Sequence, residues 1–130
     1  MKKTISTFIL FSLSALHAQA FDCTKASNFA ETEICKDHLL SALDMTLNRN
    51  YRVMMASDIG TVARKNLSAS QRLWLQERSR CKDKECITTL YKRRLADICD
   101  YPVIAGAHPV CDEFDDVVEN DLQRHDGEKR

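Results

Sequence analysis

The chain has 130 residues, with 19 basic and 19 acidic side chains, six cysteines and only three glycines. That length bounds it at one small domain, and the balanced charge excludes the basic footprint of a nucleic-acid binder. The charge is uneven along the chain: 14 basic against 11 acidic side chains from Phe21 to Cys111, and 3 against 8 from Asp112 to Arg130.

Residues 1–20 read as a secretory signal peptide. Lys2 and Lys3 give a positive start, Ile5 to Ala15 a short apolar run, and Ala18-Gln19-Ala20 a small-x-small cleavage site of bacterial type. Cleavage near Ala20 would leave a chain that begins at Phe21. No cysteine follows the cut to take a lipid, and no later segment approaches the ~20 apolar residues of a membrane helix. A periplasmic or secreted protein without a membrane anchor is expected. All six cysteines lie beyond the cut, and an even number in an oxidising compartment predicts three disulfides.

Strand-like alternation is absent. Asn28 to Glu31 carries a capping signal for a short helix that ends near Cys35. From Asp37 to Ser57, Leu40, Leu43, Leu47, Tyr51 and Met54 recur in steps of three and four, the signature of an amphipathic helix capped by Asp37. Ser68-Ala69-Ser70-Gln71 fits a capping box, so a third helix is predicted from there to about Arg80, with Trp74 in the core. Asp83 can cap a fourth, whose apolar face is Ile87, Leu90, Tyr91, Leu95 and Ile98. Tyr101 to Pro109 reads as a loop, Phe114 to Leu122 as a short last helix, and Arg124 to Arg130 as a disordered end. The fold class is therefore all-α: a small, disulfide-stapled antiparallel bundle of three longer helices and one or two short ones.

Up-down packing sorts the cysteines by pole. Cys35, Cys81 and Cys86 fall at one end, within reach of Cys23, while Cys99 and Cys111 fall at the other. Cys99–Cys111 is the favoured pair, and Cys81–Cys86 with Cys23–Cys35 is the simplest partition of the rest. A crossed pairing of Cys23 and Cys35 with Cys81 and Cys86 stays open. The five-residue spacing of Cys81 and Cys86 suits neither zinc nor a redox motif. No metal site, cofactor or catalytic set is expected: nucleophile, metalloprotease and phosphate-loop motifs are missing, and His38, His108 and His125 sit apart in sequence as exposed side chains. Asp44, on or beside the apolar face of its helix, needs a partner. Arg78, Tyr91 and Arg94 are the candidates for an interhelical polar network that fixes register.

Several motifs together resemble the N-terminal domain of the lysozyme inhibitor LprI family: F-D-C-x-K-A, E-x-x-I-C, L-D-x-x-L, Q-R-x-W-L-x-x-R, and the paired Cys81 and Cys86 ahead of L-Y-x-x-R-L. They span roughly Phe21 to Ile98 and include Asp44, Tyr51, Gln71, Trp74, Arg78, Tyr91 and Arg94 as framework positions. The resemblance implies a helical domain over residues 21–99 and a non-enzymatic protein that blocks a peptidoglycan-cleaving enzyme, as a lysozyme inhibitor or an immunity protein. Residues 100–130 then form a disulfide-anchored loop and acidic tail. Tyr101, His108, Asp112, Glu113, Asp115 and Asp116 are the candidate contacts there with a basic protein partner. The alternatives are a structural or stress-related envelope protein and, less favoured, a small envelope hydrolase built on convergent carboxylates.

Overall fold

The computed structural model describes residues 21–128; the signal peptide expected at residues 1–20 lies outside them. After a 3-10 turn at Cys23–Lys25 come α1 (Phe29–Lys36), α2 (His38–Ala56), α3 (Thr61–Ser79), α4 (Lys84–Cys99) and α5 (Phe114–Glu128), with no strand among the described residues. No helix there is long and apolar enough to cross a membrane.

Short polar residues cap the starts of α1, α2 and α4. The Asn28 side chain accepts from the Glu31 amide at 3.0 Å, and Glu31 reaches back to the Ser27 amide at 2.8 Å, a reciprocal cap displaced by one residue. Asp37 accepts from the Leu40 amide at 2.9 Å, and Asp83 from the Cys86 amide at 2.8 Å. The apolar stripes set by the 3.6-residue period then meet in one core. Leu40, Leu43, Leu47 and Met54 of α2 pack with Ile87, Leu95 and Ile98 of α4, with α1 and α3 closing the sides. Trp74 is buried at the α3–α4 contact, where its indole donates to the Leu90 carbonyl at 3.3 Å and its ring meets Tyr91 edge-on at 5.2 Å.

Two elements exceed their expected bounds. Helix α3 begins at Thr61, seven residues before the Ser68 box, because Gly60 turns the chain and Leu67 already belongs to the buried stripe. The two box side chains work elsewhere: the Ser68 hydroxyl accepts from Arg72 at 3.0 Å, and the Gln71 amide oxygen accepts from Arg94. Helix α5 continues through the stretch expected to be disordered, to Glu128. Asp116 caps its start through the Glu113 amide at 2.8 Å, the first turn is acidic as the helix dipole favours, and Val117 is buried. Leu122, expected on its apolar face, is 61% exposed.

The cysteines pair as Cys23–Cys35, Cys81–Cys86 and Cys99–Cys111, leaving none free. The crossed alternative is thereby excluded.

Candidate functional site

Asp44 stands four residues after Leu40 and three before Leu47, so the helix turns its carboxylate toward the core. Arg78 follows Trp74 by one turn of α3, and Tyr91 sits beside Leu90 on α4. The three side chains converge. Arg78 Nη1 donates to Asp44 Oδ1 at 2.9 Å and to the Tyr91 hydroxyl at 2.9 Å, while that hydroxyl donates to Asp44 Oδ1 at 2.6 Å. The Arg78 and Asp44 side chains are only 6% and 10% exposed, so each charge depends on the other for the solvation it has lost. Burial, then the Asp44 carboxylate, pushes the Tyr91 phenol far above its ordinary pKa, which keeps it a neutral donor. The Arg78 guanidinium also lies 5.3 Å from the Trp74 ring centroid, and its Nε is buried with no hydrogen-bond partner.

Arg94 does not join these three. Its Nε and Nη2 donate to Gln71 Oε1 at 3.0 and 2.9 Å, and Nη2 donates to Ser70 Oγ at 3.1 Å, a second α3–α4 clamp. Burial lowers the Arg94 pKa from its usual value. One side of the triad opens on a groove of about 450 Å³ between α2 and α3, where Asp44 and Arg78 meet Tyr51, Gln71, Asn48 and Trp74. These are largely the motif residues of the sequence.

The opposite pole carries the loop between α4 and α5. The Cys99–Cys111 bridge closes its base, and Asn50 Nδ2 donates to the Asp112 carbonyl at 2.8 Å. Tyr101 donates its hydroxyl to the Ala63 carbonyl at 2.9 Å, and the Ile104 amide donates to the Asp58 carbonyl at 2.8 Å. The His108 ring lies between the carbonyls of Tyr101, 3.0 Å from Nε2, and Pro109, 3.1 Å from Nδ1. Asp112 pairs with Arg49, and Asp116 caps α5. Of the six residues expected to meet a partner, then, Tyr101, His108, Asp112 and Asp116 bond within the protein, while Glu113 and Asp115 are exposed. The loop's most exposed apolar groups, Ile104 at 72% and Val110 at 92%, were not singled out from the sequence.

The fold also joins two histidines that sequence distance kept apart. His38, at the start of α2, and His125, near the end of α5, meet at Asp121, with His38 Nδ1 3.1 Å from Asp121 Oδ1. The i, i+4 spacing of Asp121 and His125 is the legible signal; Asp121 falls within the expected last helix, but His125 falls in the stretch expected to be disordered, which α5 includes.

Residues 23–99, well over half of the chain, match a family model described as Lysozyme inhibitor LprI. Among curated proteins and among solved structures, no significant match was found.

Proposed function

This chain belongs to the lysozyme inhibitor LprI family, and we propose that it acts outside the cytoplasm by binding and blocking a lysozyme-type, peptidoglycan-cleaving enzyme. The family match over residues 23–99 carries the reading. Three disulfides with no free thiol suit an oxidising compartment, in keeping with the signal peptide read at residues 1–20. The protein acts by occupancy rather than turnover.

A wall-cleaving glycosidase holds its polysaccharide in a cleft flanked by two carboxyl groups. An element that blocks such a cleft has to be convex and already ordered, so that docking immobilises little that was free before. The 100–113 loop fits this description. A bridge closes its base, the Tyr101 hydroxyl and the Ile104 amide pin it to α3 and the turn before it, and it presents Val110 and Ile104 to solvent. Glu113, Asp115 and the acidic face of α5 flank it and would steer a basic enzyme rim into place. A second reading puts contact at the Asp44–Arg78 groove, favoured because that groove lies almost wholly within residues 23–99, where the family resemblance resides.

The test uses the disulfide-intact protein against a panel of purified muramidases, with lysis of cell-wall suspensions and complex formation on a sizing column as readouts. Inhibition of at least one enzyme with a one-to-one complex is expected. No slowed lysis and no complex with any of them would overturn the proposal. Val110→Glu should weaken inhibition with an unchanged melting midpoint if the loop docks. Loss of inhibition in Asn48→Trp alone, which fills the groove, would favour the second reading.

A further inference from the structure

Two exposed histidines and a partly buried aspartate come together where the start of α2 meets the second half of α5. His38 opens α2, while Asp121 and His125 stand one turn apart on α5. His125 Nε2 lies 3.9 Å from Asp121 Oδ2, the two imidazole rings meet edge-on at 5.1 Å, and one ligand atom from each of the three residues falls within 4.8 Å of the others. Donors around an ion with bonds of about 2.0–2.2 Å lie roughly 3–3.5 Å from one another. The His38–Asp121 distance of 3.1 Å already has that value, and the other separations have to close from at most 4.8 Å. The side chains differ in burial as such a site needs: Asp121 is 13% exposed, whereas His38 at 65% and His125 at 48% have room to turn toward it.

We propose that His38, Asp121 and His125 form a binding site for a borderline first-row divalent cation of the zinc or copper class. Two imidazoles and one carboxylate suit these ions, while calcium and magnesium prefer oxygen donors throughout. At least one coordination position stays open to water. With every cysteine in a disulfide, no thiol competes for the ion. The ion has a structural task as well. Helix α5 buries only Val117 among its residues, so its second half is weakly held, and a metal bridge between α2 and α5 would pin it to the bundle. The site is independent of whether the protein inhibits a lysozyme.

Isothermal titration of the disulfide-intact protein with zinc chloride should show saturable uptake of one ion per chain, with a melting midpoint that rises with zinc. His38→Ala and His125→Ala should each weaken uptake at least about tenfold, since losing even an outer-sphere partner of a metal ligand costs about 10–100-fold. His108→Ala, remote from the cluster, should leave uptake unchanged. Proton–nitrogen spectra should move the ring nitrogens of His38 and His125 and not those of His108. Absence of saturable uptake, or uptake that persists in the His38→Ala/His125→Ala double variant, would overturn the proposal.

Discussion

Asp44 joins three helices through one carboxylate oxygen. Its Oδ1 accepts from both Arg78 and Tyr91. Asp44→Ala would strand a buried guanidinium, so a loss of about 3–5 kcal/mol in urea denaturation is expected. Asp44→Asn should lose less, because it can still accept a hydrogen bond. Equal stability of Asp44→Ala and the parent would remove the triad from the account. A second carboxylate, Asp37, contributes to acid behaviour. Burial raises the Asp37 pKa, but the Lys84 ammonium and the Leu40 amide more than offset this, so the carboxyl titrates below its ordinary value. A depressed carboxylate pKa contributes stability above the unfolded value that is lost as pH falls through the folded one. Asp37→Asn should therefore lower stability at neutral pH and flatten its decline toward acid; a pH profile parallel to the parent's would count against this. At this scale the sequence is readable where a charged residue interrupts an apolar stripe, and less so at the buried amide of Asn50, whose partner is the distant Asp112 carbonyl. Asp44 stood out among Leu40, Leu43 and Leu47. The partner of Arg94 did not, because the Ser68 box commits the Gln71 side chain to the helix backbone, whereas in the middle of α3 it is free to accept from Arg94.

Helix boundaries depended on which of two local signals prevailed. The Ser68 box is a sound N-terminal signal in isolation, yet the turn at Gly60 and the burial of Leu67 extend α3 upstream of it. No alternation or capping rule ranks those options, because burial of Leu67 is decided by its neighbours in space. Gly60 has φ 79° and ψ 160°, a region essentially reserved for glycine, and a Cβ there would lie 2.8 Å from Ile104 Cδ1. Gly60→Ala should cost about 1–3 kcal/mol and loosen the α4–α5 loop, seen as faster amide exchange at Ile104. Unchanged exchange there would separate the turn from the loop. The bridges should differ in worth. By the chain-entropy argument, Cys99–Cys111, with a sequence separation of 12, contributes about 3 kcal/mol, and Cys81–Cys86, with a separation of 5, about 2 kcal/mol. Paired Cys→Ser variants in thermal melts check that order, and a reversed ranking would show that native-state contacts outweigh loop length.

For the whole molecule, the up-down course of α2, α3 and α4 followed from short connections and periodic apolar residues, and so did the sorting of cysteines to two poles. The return of α5 along α2, which brings His125 to His38, did not follow. It requires knowing that an acidic, polar segment with one buried valine still docks, and that docking depends on distant partners such as Arg49 and Asn50. Every bridge joins neighbours along the chain: the N-terminal turn to α1, α3 to α4, and α4 to α5. None crosses the Ser57–Gly60 connection. A protease that nicks the molecule there would therefore leave two fragments associated through packing alone, which part in denaturant without any reductant. A nick in the 101–110 loop would leave its pieces tethered by sulfur until a thiol is added.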